Sequence, residues 1–215
     1  MEPIEQVSLV DQAATRIRNL MLTGQISPGT MVREEWLQGI LGVSRAPLRE
    51  AIQILVQEGL LERLARRGVR ARTFTPRDTW EIYTLRGALD RFALSNGLPA
   101  PEELLVTMRQ AIANMRVANE SGNHLAYVEA NRDFHLGLIA LARNSRLTDV
   151  YRTLMNQMQM FMSINLSRES KEDADIGVHR HETLLKAIEA GELEQALAAL
   201  DAHGELRFLE SAPPE

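Results

Sequence analysis

The chain has 215 residues, 45% of them hydrophobic and 25% charged, with a net charge of −5 and no cysteine. This is enough apolar material for one large or two modest domains. The missing cysteines exclude disulfides, thiolate metal sites and a cysteine nucleophile, and agree with a reducing compartment. No apolar run approaches the roughly 18 to 20 residues of a membrane span. The acidic start MEPIEQVSLVDQ is unlike a secretory signal, so a cytoplasmic protein with no membrane partner is expected.

The average charge hides an asymmetry. Residues 1–72 carry ten arginines against eight acids, a net of +2, whereas residues 73–215 carry fourteen basic residues against twenty-one acids, a net of −7. Different electrostatic tasks are expected of the two parts.

In chain order, Leu9, Ala13, Ile17, Leu20 and Met21 recur at helical spacing until GQISPGT stops them. A short second helix places Trp36, Leu37, Ile40 and Leu41 on one face and ends at Gly42. A third runs through Leu48, Ala51, Ile52 and Leu55 to Gly59. Its start, GVSRAPLREA, reads as a cap at Ser44 with Pro47 in the first turn, where a missing backbone donor costs little. The period then changes from helical to alternating: Leu61 to Ala65, a turn at Arg66, Arg67 and Gly68, and Val69 to Thr73 predict a small hairpin. Three helices and a basic hairpin make a winged helix-turn-helix.

Thr75, Pro76 and Asp78 have the spacing of a capping box with a first-turn proline, so a new helical domain is expected to begin at residue 75. The domains are read as 1–74 and 75–215, the second as an all-α antiparallel bundle. Its helices are predicted at about 76–95, 101–120, 123–142, 145–167, 174–190 and 192–210, separated by NGLPAP, ESGN, RNS, SRESKED and AGE.

Two groups of residues carry chemistry. Arg45 and Arg49 lie about 40° apart on a helix, away from Leu48, Ile52 and Leu55. Cations placed so near a helix N-terminus suit a DNA major groove, where guanidinium donors bond guanine or grip phosphates. The plainer reading is a solvated face of local charges. In the second part, Asn131 and His135 share a helix face, and His181 and His203 sit among apolar positions of the last two helices. Three imidazoles and an amide oxygen drawn from three helices could hold a divalent ion; alternatively each ring simply hydrogen-bonds a neighbour in the core. His124 and His179 fall outside this set. Met155, Met158 and Met162 form a stripe read as core, or as a deformable wall or dimer contact.

The segment TGQISPGTMVREEWLQGILGVSRAPLREAIQILVQEGLLERLARRGVRA resembles the DNA-binding domain of GntR-family bacterial transcription regulators. The resemblance implies DNA contacts from Ser44, Arg45 and Arg49, a phosphate contact from Arg33, and approach of Gly68 to the minor groove. Glu35 stands where some relatives carry a DNA-touching arginine, which leaves Arg66 or Arg67 as the replacement. The helical part is similar to the FCD effector-binding domain of the FadR-like branch, through Arg86 and Asp90, Asn131 to His135, Asn144 to Leu147, the run from His181, and His203. That likeness implies a metal site of Asn131, His135, His181 and His203, zinc or nickel being the expected ion, with asparagine in place of aspartate lowering affinity. It also implies a carboxylate effector with Arg86 as a second anchor, against a plain Arg86–Asp90 pair within the helix. A homodimer on palindromic double-stranded DNA is expected. Metal-dependent hydrolysis is the rival reading. Against it, HETLL lacks the second histidine of H-E-x-x-H because Leu185 occupies its place. A purely architectural DNA binder would leave the inward histidines without a use.

Overall fold

The computed structural model describes residues 8–166 and 171–203. They divide into two compact units, with the boundary between Thr73 and Phe74.

The first unit contains α1 (Leu9–Leu22), β1 (Met31–Val32), α2 (Glu34–Leu41), α3 (Arg45–Gln57), β2 (Leu61–Leu64) and β3 (Gly68–Ala71). Ile17, Leu20, Leu37, Leu48, Ile52 and Leu55 meet in its core, each at most 7% exposed. Burial of that order is worth about 1.5–3 kcal/mol per side chain. Gly42 ends α2 at φ 65°, a left-handed cap that frees the chain to turn into α3. Arg18 on α1 pairs with Glu58 just past α3 at 3.0 Å, across a partly buried contact. The hairpin is part of a three-stranded antiparallel sheet of order β1-β3-β2, β1 having no sequence signal because it is only two residues long. The apolar face read for α2 is only partly used: Leu37 is fully buried and Leu41 half-buried, but Trp36 and Ile40 are 42% and 44% exposed.

The second unit is all helical among the described residues: α4 (Pro76–Gly97), α5 (Glu102–Glu120), α6 (His124–Ala140), α7 (Ser145–Leu166), α8 (Lys171–Ala190) and α9 (Leu193–Ala202). The Thr75–Asp78 capping box forms in full, with Pro76 at the first position. Helix α8 starts three residues earlier than the spacing predicts. The predicted last turns of the final helix, 204–210, lie outside the described residues. Tyr83, Leu94, Met108, Phe134, Leu138, Tyr151, Met155 and Leu184 form the centre of the core. Helix α6 runs through this centre: nine of its seventeen residues are buried, including Asn131 and His135.

Candidate functional sites: an exposed cationic helix and a buried histidine cluster

The polar residues of the first unit stay outside. Ser44 has the extended backbone of a helix cap (φ −72°, ψ 169°), but its side chain makes no capping bond. Its hydroxyl is exposed at the front of α3, beside exposed Arg45 and Arg49. Leu48, Ala51, Ile52 and Leu55 hold the opposite face of that helix to the core, so the two guanidinium groups project to solvent together. Arg49 Nε donates to Glu34 Oε2 at 3.0 Å, a contact between α2 and α3 that the sequence spacing gave no means to see. With Arg49 65% exposed this pair is weak, on the order of 0.5 kcal/mol, and readily exchanged for another anion. Arg33 is exposed immediately before α2.

At the wing, Arg67 N–H donates to the Leu64 carbonyl at 3.0 Å and closes the turn. Arg66 takes φ 62° and Gly68 φ 97°, so the tip bends sharply and Arg66, Arg67 and Gly68 are all exposed. Glycine suits that backbone because a Cβ disfavours positive φ. Behind the tip, Glu62 and Arg70 lie opposite one another in the β2–β3 register and pair at 2.7 Å. Glu35 is exposed on α2.

The second unit does the reverse. His135 on α6, His181 on α8 and His203 at the end of α9 are 0%, 5% and 6% exposed, and one nitrogen from each lies within 4.8 Å of the others. Ring centroids are 5.4 Å apart for His135–His181, 5.3 Å for His135–His203 and 4.3 Å for His181–His203. Phe134 closes one side, its ring 4.9 Å from His181 and edge-on to it. Asn131, one turn before His135, is 3% exposed and its Nδ2 lies 3.6 Å from Met162 Sδ. His124 and His179 are exposed and outside the cluster.

The hydrogen bonds define what these rings offer. His181 Nδ1 faces the Gly177 carbonyl at 2.8 Å. A carbonyl only accepts, so Nδ1 carries the proton and Nε2 keeps its lone pair. That Nε2, and Nδ1 of His203, are buried with no hydrogen-bond partner among the described residues. Burial drives all three rings to the neutral form, because desolvation penalises an imidazolium. His181 falls to about 4; burial lowers His135 and His203 well below the ordinary value, with Arg86 and the neighbouring histidines acting in the same direction. Neutral ring nitrogens gathered within 4.8 Å, two of them unpartnered among the described residues, are what an N-ligated divalent ion requires, so the donor set fits a metal.

Arg86 and Asp90 on α4 form the wall beside His135. Both are 0% exposed. Arg86 Nε donates to Asp90 Oδ2 at 3.2 Å, Nη1 lies 3.3 Å from Met158 Sδ, and Nη2 lies 3.0 Å from His135 Nε2. Tyr151 OH donates to Asp90 Oδ1 at 2.5 Å. Burial raises the Asp90 pKa, while Arg86 and Tyr151 pull it back down. The Arg86–Asp90 pair read from the i,i+4 spacing is therefore present, and it is tied into the histidine cluster. The methionine stripe contributes sulfurs to two of these polar groups. Sequence reading missed Tyr151, and also Asn156 and Gln159, which are buried on α7 with side-chain oxygens unpartnered among the described residues. Three polar residues on the inner face of a helix were their available signal.

Comparison with known proteins gives a consistent picture. The family model of bacterial regulatory proteins of the gntR family matches residues 9–70, and that of the FCD domain matches residues 81–206. A protein of Paenarthrobacter nicotinovorans, described as a probable D-xylose utilization operon transcriptional repressor, is 28% identical over 88% of this chain and 84% of its own length. The gluconate operon transcriptional repressor of Bacillus licheniformis is 25% identical over 88% of this chain and 79% of its own. E. coli McbR/YncC shares the fold with a TM-score of 0.79 at 20% identity, covering 95% of this chain and 97% of that one. The first two relatives are described as transcriptional repressors and the family matched over residues 9–70 as regulatory proteins, which sets aside the hydrolase reading. With two family models covering its two units in order, the chain belongs to the GntR family of bacterial transcriptional regulators, in the group carrying a C-terminal FCD domain.

Proposed function

We propose that this regulator acts as a homodimer on a palindromic operator, and that a small carboxylate metabolite, bound through a divalent ion in the helical unit, alters its DNA affinity. Ser44, Arg45 and Arg49 at the front of α3 enter the major groove, Arg33 reaches a phosphate, and Arg66, Arg67 and Gly68 approach the minor groove from the wing. Asn131, His135, His181 and His203 hold zinc or nickel. An ion on neutral ligands keeps its full positive charge, and that charge draws in a carboxylate, with Arg86 as the second anchor. The reading places the protein in the cytoplasm, on the nucleoid when bound to DNA.

The single observation that carries the effector part is the gathering of three buried neutral imidazoles in the helical unit, two of them with nitrogens unpartnered among the described residues. A core built for stability alone leaves few such groups, because each costs about 1–3 kcal/mol. Three measurements test the proposal. Elemental analysis of protein purified without chelator is expected to find zinc or nickel, and His135→Ala or His203→Ala to lose it while His179→Ala retains it; equal metal content in all three variants rules the site out. Footprinting is expected to protect two half-sites centred about one helical turn, roughly 10 base pairs, apart; protection of one lone half-site rules out the dimer on a palindrome. An effector that saturates the helical unit and leaves DNA affinity unchanged rules out the coupling.

A further inference from the structure

His181 enters the cluster from α8, and one turn before it the Tyr127 side chain spans the gap from α6. The Tyr127 hydroxyl donates to the Ala174 carbonyl at 3.3 Å. It lies where a side chain at Gly177 would begin: a Cβ there would stand 2.5 Å from the hydroxyl oxygen and 3.7 Å from Cζ, with nothing else within 4 Å. Tyr127 is 5% exposed and belongs to the core, so its ring has little room to move aside. A glycine inside a helix costs about 1 kcal/mol relative to alanine. Contact with Tyr127 is the reason α8 carries one here.

Gly177 also touches the cluster through its backbone. Its carbonyl lies 2.8 Å from His181 Nδ1, which keeps the proton on that nitrogen and leaves Nε2 with its lone pair. On α6, His135 follows Tyr127 by about two turns, and its ring centroid is 5.4 Å from that of His181. The Tyr127–Gly177 contact therefore joins the same two helices that bring His135 and His181 together.

We propose that Tyr127 is a strut of fixed length between α6 and α8, seated on the bare backbone of Gly177, and that it positions His181 for the ion. Neither residue is a ligand; both act through His181. The inference rests on the metal reading above. A methyl group added at 177 lengthens the strut, pushes α8 away from α6, and carries the Gly177 carbonyl and the His181 ring with it.

The test is zinc affinity of the full chain, stripped of metal and titrated against a chromophoric chelator, together with the nitrogen-15 shifts of the His181 ring, which report its tautomer. Gly177→Ala is expected to bind zinc about tenfold or more weakly than the native chain and to lose the single Nδ1–H form of His181. Combining it with Tyr127→Phe removes the clashing oxygen and leaves the new methyl 3.7 Å from the ring, an ordinary contact. The double variant is expected to return to within about threefold of native affinity. Gly87→Ala on α4, where a Cβ meets nothing within 4 Å, gains the same helix propensity and is expected to bind zinc as the native chain does. A Gly177→Ala chain whose melting changes while zinc affinity and tautomer stay native overturns the inference and leaves the metal reading standing. A double variant that binds no more tightly than Gly177→Ala overturns it as well. Should Gly177→Ala fail to fold, the double variant carries the test alone, and binding more than about tenfold weaker than native overturns the inference. Absence of zinc binding in the native chain overturns the metal reading and this inference with it.

Discussion

Arg45 and Arg86 are the same residue type in opposite settings. Arg45 stands exposed at the front of α3, with Arg49 beside it in a pair to Glu34 that leaves 65% of its side chain in solvent. Arg86 is wholly buried, with Asp90, His135 and Met158 around it. Water accounts for the difference in role. An exposed guanidinium contributes little to the fold and is available to a phosphate or a base, whereas a buried one is an obligatory member of a network whose removal leaves charges and lone pairs without partners. The first unit thus keeps its polar chemistry outside an apolar core, and the second builds its core around polar chemistry.

The comparison breaks most sharply at Arg86. Arg86→Ala strands the Asp90 carboxylate in the core, and the expected cost is about 3–5 kcal/mol of stability in chemical denaturation, against less than about 0.5 kcal/mol for Arg45→Ala. Similar values for the two would erase the distinction. Next in size, neutralising Arg45 and Arg49 together is expected to weaken operator binding by about 2–4 kcal/mol at moderate salt, measured by fluorescence anisotropy, with melting unchanged. Retained affinity would remove α3 from the groove.

Acid should separate the units further. Unfolded histidines titrate near 6.5, while His181 in the fold falls to about 4 and His135 and His203 also lie well below the ordinary value. The unfolded chain therefore binds more protons in this window. The stability of the metal-free helical unit is full above about pH 6.5 and falls as pH drops toward 4, by up to roughly 1.4 kcal/mol per pH unit for each histidine. Thermal unfolding from pH 7 to 4 checks this, and a flat profile contradicts the buried neutral rings. The smallest effect is expected at Glu34→Gln, which frees Arg49 from its exposed partner and changes stability by about 0.5 kcal/mol or less. Operator association slightly faster than native is the expected sharpening.

Much of this was legible without the fold. Local rules sufficed for the helices, for the wing turn at Arg66 to Gly68, and for the capping box at Thr75, because each depends on residues a few positions apart. The motif from Thr23 to Ala71 carried the family, and the residues of the histidine cluster were named from helix faces and family likeness. Less was visible of α2, where helical periodicity alone placed Trp36 and Ile40 with Leu37 although they remain exposed.

The sequence by itself determined the order of elements, the charge contrast between the two parts and the identity of the side chains that could do chemistry, since propensity, capping and spacing are local. Only the tertiary structure decided which of them meet. The short strand β1, the Glu34–Arg49 contact, the approach of His203 to His135, and the placement of Arg86 against that histidine's ring all join positions far apart in the chain. Such contacts follow from how helices pack and exclude water, and packing is a property of the whole core rather than of any stretch within it.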